Sequence, residues 1–194
     1  MNKPILLFDL GGVLVDLANP TDAIGLEISN DEFWATWLTS PLVQHFETGR
    51  LATSDFMAQL GAEFGFDDAV EFDSALRRWH LQMFDGAEQA LRTLTQSHTV
   101  ALLSNTNEIH WQQVESQSDV FEGFSKLFLS YETGNAKPTQ AAFLDVVEHF
   151  DCEPAQVHFF DDNAGNVAAA RRAGSSAVQV SGWHNVELEV AKVI

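Results

Sequence analysis

A short, uninterrupted apolar run near the start of the chain, Ile5–Phe8, ends abruptly at Asp9 and the Gly11-Gly12 pair. Such a run predicts a β-strand buried on both faces, because a strand with one face in water would alternate apolar and polar residues. Further runs of the same kind, the second of them weaker, occur at residues 100–103, 127–129, 157–160 and 177–180. The pattern indicates a parallel sheet that is covered on both sides.

Segments with helical periodicity separate these runs. They lie at residues 88–94, 138–150 and 167–173. The second carries apolar residues at i, i+3, i+4 and i+7 and begins with Pro138, which suits a first helical turn. The third is followed by Gly174, a common residue after a helix end. Strands that alternate with helices predict an α/β fold, in which right-handed crossovers build a Rossmann-like parallel sheet.

The stretch between the first and second strands breaks this alternation. Its pattern is helical throughout, with Gly49, Gly61 and Gly65 as interruptions, and it contains no convincing strand. We therefore expect two units: an α/β core made of residues 1–16 and 85–194, and an inserted helical cap made of residues 17–84.

The charge of the chain limits its partners. It has 10 basic and 28 acidic residues, so the formal net charge is 10 − 28 = −18. Such a surface repels nucleic acid and anionic membranes, and no apolar run approaches the roughly 18–20 residues of a membrane span. The single Cys152 and the interruption of the N-terminal apolar run at Asp9 predict a cytoplasmic protein. A small anionic metabolite can still bind wherever a few cations are placed.

Polar residues end three of the predicted strands, and a lysine precedes the helix at 138–150. In open parallel sheets, sites form at the carboxyl ends of the strands, so we expect these side chains to meet. They are Asp9, Ser104, Asn105, Lys137, Asp161 and Asp162. Taken singly, each also suits an N-cap, a turn or a solvated surface position. Their joint placement favours a site.

These residue types are suited to phosphoryl transfer. A carboxylate such as Asp9 can attack phosphorus, and with Asp162 it offers the hard oxygen ligands that Mg²⁺ prefers. Lys137 adds positive charge, while Ser104 and Asn105 can donate to phosphoryl oxygens. The predicted cofactor is therefore Mg²⁺, and the predicted partner is a small phosphorylated metabolite.

In this order along the chain, the motifs resemble those of the haloacid dehalogenase superfamily. The matching segments are residues 8–16, 103–105, 137–138 and 160–167. The resemblance implies that Asp9 is the nucleophile and that Ser104 and Asn105 hold the phosphoryl group. It also implies that Lys137 balances charge. Mg²⁺ would be held by Asp9, the Gly11 carbonyl and Asp162, with Asp161 in support.

Within that superfamily, residues 103–107 with His110, residues 159–166 and residues 46–49 resemble a bacterial subgroup of sugar phosphatases acting on α-D-glucose-1-phosphate. Most phosphatases of the superfamily carry a general acid/base aspartate two residues after the nucleophile, where this chain has Gly11. Water, Asp16 or a cap residue such as His45 could take over that role. In the cap, we expect His45 and Glu47 to contact substrate, while Trp34 and Trp37 share a helix face that packs into the cap core.

Two other functions remain open from sequence. A metal-independent 2-haloacid dehalogenase would use the same Asp9 nucleophile, but adjacent carboxylates at Asp161 and Asp162 would repel it. A catalytically weak member that binds or regulates a partner is the second, and Gly11 is the residue that suggests it. The phosphatase is the favoured prediction.

Overall fold

The computed structural model describes residues 3–194 and contains one five-stranded parallel sheet, with strand order β5-β4-β1-β6-β7. The strands, including an antiparallel pair β2–β3 outside this sheet, are β1 Ile5–Phe8, β2 Val15–Asp16, β3 Gln82–Met83, β4 Thr99–Ser104, β5 Lys126–Leu129, β6 Val157–Asp161 and β7 Ser176–Gln179. The predicted α/β class with a Rossmann-like parallel sheet is confirmed.

The described part of the chain also contains eleven α-helices and two short 3-10 turns, at Asp119–Gly123 and Pro154–Gln156. The α-helices are α1 Pro20–Ile24, α2 Asn30–Thr39, α3 Pro41–Phe46, α4 Thr53–Glu63, α5 Ala69–Leu76, α6 Ala87–Thr95, α7 Glu108–Glu115, α8 Ser130–Thr133, α9 Gln140–Phe150, α10 Ala164–Arg172 and α11 Gly182–Val190. None of them combines the length and the apolar character needed to cross a membrane.

Strand β1 is the centre of the sheet and is buried on both faces. Leu6 and Phe8 join the apolar cluster on one side, with α6 and α11, while Ile5 and Leu7 join the cluster on the other side, with α9 and α10. All four side chains are at most 5% exposed. The prediction from the uninterrupted apolar run, that this strand is buried on both faces, is therefore confirmed.

Helices α1–α5 lie between β2 and β3 in the chain. The predicted absence of a strand in this region is wrong, because Gln82 pairs antiparallel with Asp16 and Met83 with Val15. A two-residue strand has no periodicity to detect, and its partner is more than sixty residues away in sequence. The expected packing of the tryptophans is confirmed: Trp37 stacks on Phe33 with ring centroids 5.5 Å apart.

One predicted helix start is also wrong. Helix α9 begins at Gln140 with Thr139 as its N-cap, so Pro138 lies before the helix and not in its first turn. Pro138 instead follows Lys137 in the turn that delivers the lysine side chain to the sheet edge. At the other predicted boundary, Gly174 follows α10 with a φ of +95°, a conformation that favours glycine.

Candidate active site

The strand ends bring the predicted polar residues to one edge of the sheet. Asp9 follows the last residue of β1 directly, Ser104 and Asp161 are the last residues of β4 and β6, and Asp162 follows Asp161. Because β4, β1 and β6 are parallel neighbours, their carboxyl ends coincide. Lys137 reaches this edge from the turn before α9.

Lys137 lies between two carboxylates. Its Nζ is 2.7 Å from Asp9 Oδ1 and 2.7 Å from Asp161 Oδ2, and its side chain is only 1% exposed. Burial acts to lower the pKa of Lys137, but the Asp9 and Asp161 carboxylates outweigh it and raise the pKa above its ordinary value. The lysine therefore stays charged and supplies a fixed cation inside an acidic protein.

Asp9 has one oxygen engaged by the protein. Its Oδ1 accepts from the Leu10 N–H at 2.7 Å as well as from Lys137, and neither contact uses Oδ2. Burial raises the pKa of Asp9 to about 7; Lys137 opposes this shift, while Asp161 and Asp162 add to it. A further positive charge beside Asp9 would favour the ionised carboxylate that a nucleophile requires.

Asp161 is held by hydrogen bonds on both oxygens. Besides Lys137, its Oδ1 accepts from the Asn163 backbone N–H at 2.7 Å, and the Asn166 amide donates to both oxygens at 3.1 Å. The residue is fully buried. Its carboxylate orients Lys137, and the turn after β6 orients that carboxylate. Asn163 also caps α10 by accepting from the N–H groups of Gly165 and Asn166.

Asp9, Asp161 and Asp162 together form a candidate metal centre. Each offers a carboxylate oxygen, and these oxygens all lie within 4.8 Å of one another. Three carboxylates face one lysine, and burial together with the neighbouring Asp161 raises the pKa of Asp162. This donor set fits Mg²⁺, which takes oxygen ligands from one or two carboxylates and completes its shell with water and phosphate oxygens. Asp9 and Asp162, far apart in sequence, are thus on the same edge.

Gly12 is a contributor to this edge that sequence reasoning did not single out. Its φ is +69°, and a Cβ built on it would lie 2.5 Å from Asp162 Oδ2. Only glycine fits both the conformation and the close approach. The Gly11-Gly12 pair was the available signal, although the sequence does not show which carboxylate comes near it. Gly11 is half-buried beside Leu17 and has no side chain to donate or accept a proton.

The side chain of Asn105 is engaged differently from the expectation. Its Nδ2 donates to the Lys137 carbonyl and its Oδ1 accepts from the Lys137 N–H, each at 2.8 Å. This reciprocal pair fixes the Lys137 turn to the end of β4, so its amide oxygen and one amide hydrogen are already used. Ser104 lies at the same strand end and is 3% exposed.

The segment after α3 lies against the core near Lys137. The φ of Gly49 is +66°, and a Cβ on it would come within 2.4 Å of the Tyr131 carbonyl oxygen, so the backbones are in close contact. Arg50 donates to the Gly134 carbonyl at 3.4 Å. Tyr131 and Gly134 belong to the segment that leads to Lys137.

The two predicted cap residues differ in their surroundings. Glu47 is half-buried, and its Oε1 accepts from Trp37 Nε1 at 3.3 Å. Burial raises the pKa of Glu47 to about 7, while the hydrogen bond from Trp37 and the charge of Lys137 act in the opposite direction. His45, two residues earlier, is exposed. Glu47 is thus close enough to Lys137 to sense its charge.

A buried histidine connects Trp37 to the loop after β4. His110 stacks on Trp37 and meets Trp79 edge-on, with ring centroids 5.8 and 4.7 Å away, and its Nδ1 lies 3.2 Å from Asn107 Nδ2. Burial lowers the pKa of His110 to about 4, so the ring is neutral at neutral pH. In the sequence, His110 is part of the resemblance to the sugar-phosphatase subgroup, but no role is assigned to it.

A family model describing haloacid dehalogenase-like hydrolases matches residues 4–174 of this chain. The match covers most of the chain and includes Asp9, Lys137 and the acidic pair at the end of β6. The chain belongs to this family of hydrolases.

Particular relatives are phosphatases. The chain is 27% identical over 188 residues to a D-ribitol-5-phosphate phosphatase from Bacteroides thetaiotaomicron, covering 90% of each chain. It is 23% identical over 203 residues to a phosphoglycolate phosphatase from Haemophilus influenzae, covering 95% of this chain and 88% of the relative.

A solved structure shares the whole architecture. A HAD family enzyme from B. thetaiotaomicron, crystallised with magnesium and inorganic phosphate, superposes with a TM-score of 0.78 at 27% identity. The match covers 93% of this chain and 96% of that one. The presence of magnesium and phosphate in that enzyme agrees with the Mg²⁺ cofactor that the carboxylate cluster indicates here.

Proposed function

We propose that this protein is a Mg²⁺-dependent phosphomonoesterase that works through an aspartyl-phosphate intermediate. The observation that carries the proposal is the meeting of Asp9, Lys137, Asp161 and Asp162 at one sheet edge, with Lys137 Nζ 2.7 Å from two of the carboxylates. A buried carboxylate beside a fixed cation and an oxygen-rich metal centre is suited to attack on a phosphate ester.

Each residue in the cluster has a separate role in this proposal. Asp9 attacks phosphorus with one oxygen. Asp9, the Gly11 carbonyl and Asp162 would hold Mg²⁺, which would supply positive charge to offset the repulsion between the anionic nucleophile and the anionic ester. Without compensation, two unit charges about 4 Å apart repel by ~4 kcal/mol at an effective dielectric constant of ~20. Lys137, oriented by Asp161, adds to that compensation.

The phosphoryl group would be held at the end of β4. The Ser104 hydroxyl would donate to a phosphoryl oxygen. For Asn105 we retain a binding role through the amide hydrogen that Lys137 does not use, together with its positioning of the Lys137 turn. Donors placed in advance around a phosphoryl group stabilise the charge that develops in the transition state.

Residues 17–84 would form the cap over the leaving group, and Glu47 and His45 would contact that part of the substrate. The proposed substrate is a small sugar or polyol phosphate. α-D-Glucose-1-phosphate follows from the motif resemblance, and ribitol 5-phosphate follows from the Bacteroides relative. The half-buried carboxyl group of Glu47, which can accept or donate a hydrogen bond according to its protonation state, suits a leaving group rich in hydroxyl groups.

The test is a panel of phosphate esters incubated with the wild-type protein, with Mg²⁺ or with EDTA, beside the Asp9→Asn variant. We expect phosphate release that requires Mg²⁺ and that the variant lacks. Hydrolysis that survives chelation, or that persists in Asp9→Asn, would contradict the mechanism. Chloride release from a 2-haloacid without phosphatase activity would instead support the dehalogenase. A folded protein inactive on the whole panel would support a binding role.

A further inference from the structure

The proposed reaction lacks an evident proton donor for the leaving group, because position 11 is glycine. Sequence reasoning named water, Asp16 and His45 as substitutes. Asp16 and His45 are exposed, and the Asp16 carboxylate accepts from the Ala18 N–H at 2.9 Å. His110 is buried between two indoles and is not placed to exchange protons with solvent. We therefore do not assign the proton transfer to Asp16, His45 or His110.

Glu47 differs from them in its position. It lies two residues before Gly49, whose backbone abuts the Tyr131 carbonyl, and three before Arg50, which donates to Gly134. Through these contacts, the segment that carries Glu47 packs against the segment that leads to Lys137. The segment between β2 and β3 thus brings a carboxyl group next to the segment that carries Lys137.

The Glu47 carboxyl is also fixed in orientation. Trp37 Nε1 donates to its Oε1 at 3.3 Å, and Trp37 itself stacks on Phe33 and on His110. This leaves Oε2 outside the hydrogen bond from Trp37. Lys137 is the charged group that acts on this carboxyl from the core, and His110, which stacks on Trp37, is neutral at neutral pH.

A proton carrier works best when its pKa lies near the operating pH, since it must both hold and release the proton during one turnover. Burial raises the pKa of Glu47 to about 7, so both forms are populated near neutral pH. An exposed glutamate would be almost fully ionised there and would be a poor acid.

We propose that Glu47 is the general acid and base of the reaction, in the place left by Gly11; this inference rests on the proposed phosphatase function. In the first step, an Asp9 oxygen bonds to phosphorus, the ester P–O bond breaks, and the leaving oxygen takes the proton of Glu47. In the second, a water oxygen bonds to phosphorus, its proton passes to Glu47, and the Asp9–phosphorus bond breaks. Alcohol and phosphate are released, and both carboxyl groups return to their starting state.

The test compares two substrates in wild type and Glu47→Gln. Ribitol leaves from ribitol 5-phosphate as an alcohol and needs the proton, whereas p-nitrophenolate leaves from p-nitrophenyl phosphate without one. We expect Glu47→Gln to lose about 10²–10⁴-fold in kcat/KM on ribitol 5-phosphate and far less on p-nitrophenyl phosphate. Since the second step also needs Glu47, the variant should release one equivalent of p-nitrophenol in a burst and then turn over slowly.

The matched control is Glu63→Gln, an exposed glutamate of α4, which should behave as wild type on both substrates. Equal losses of kcat/KM on both substrates, or wild-type rates in Glu47→Gln, would overturn the assignment. The burst itself shows that the variant is folded and phosphorylated. If the wild-type protein shows no Mg²⁺-dependent hydrolysis of either ester, the proposed function fails, which is a different outcome from a failure of Glu47.

Discussion

The raised pKa of Glu47 has a consequence for stability that can be measured without any substrate. A carboxyl group with a pKa of about 7 in the folded protein and about 4.5 in the unfolded chain binds more protons when folded. Its contribution to stability is therefore complete at low pH and is lost as the pH rises through about 7. A glutamine at position 47 can still accept the hydrogen bond from Trp37 but does not titrate. The Glu47→Gln variant therefore does not lose this stability as the pH rises.

The size of the effect follows from the two pKa values. Between pH 5.5 and 8.5, linkage gives a loss of about 2 kcal/mol in the wild type that Glu47→Gln does not suffer. Because the side chain is partly exposed, solvent screening reduces the expected value to about 1–2 kcal/mol. Lower pH values are unsuitable, since the sequence pI is about 4.4 and a protein near its pI tends to precipitate.

The assay is urea unfolding of both proteins in EDTA across this pH range. All other titrating groups are common to the two proteins, so the difference between their free energies of unfolding isolates position 47. We expect the free energy of unfolding of Glu47→Gln to increase relative to that of the wild type as the pH rises. If the free energies of unfolding of the two proteins differ by a constant amount from pH 5.5 to 8.5, Glu47 is an ordinary ionised glutamate. The reasoning about its environment would then be refuted.

Three further results are expected. Lys137→Met leaves two buried carboxylates without their cation and should lower the free energy of unfolding by about 3–5 kcal/mol, measured by urea denaturation; an unchanged midpoint would contradict the role of this ion pair. Mg²⁺ at about 100 times its Kd should stabilise the wild type by about 2.7 kcal/mol, and Asp162→Asn should reduce that shift in thermal melts. If the variant responds to Mg²⁺ as the wild type does, Asp162 is not a ligand. Gly49→Ala should impair turnover, because its Cβ would clash with the Tyr131 carbonyl, whereas Gly65→Ala, also at positive φ but with open space around it, should show backbone strain alone. Equal kinetics in these two variants would argue against the contact.

The candidate site was largely accessible from sequence for a specific reason. Each predicted site residue of the core lies at or just after a strand end, or in the turn before a helix, and in a parallel sheet these positions converge whatever the side-chain details. The carboxylates of Asp9 and Asp162 are brought together in this way. What sequence left undetermined was which group contacts which: Asn105 pairs with the Lys137 backbone, and Asp161 is enclosed by Lys137, Asn163 and Asn166.

The segment between β2 and β3 was harder to predict, because its contacts depend on packing between segments distant in sequence. Helical periodicity indicated the helices but not the β2–β3 pair, which is too short to carry a pattern. Trp37 was correctly expected to pack inside, but its indole N–H also holds Glu47, a contact that no spacing rule encodes.

The amino-acid sequence determined three features: the two-sided burial of β1, the alternation of strands and helices, and the order of polar residues at strand ends. Each of them depends on local hydrophobicity and chain direction. The tertiary structure decided the charge state of the site. Burial raises the pKa of Asp9 and Glu47. The packing of distant segments places Lys137 between two carboxylates. Such shifts arise from desolvation and from charges a few ångströms away, and both exist only once distant segments have packed together.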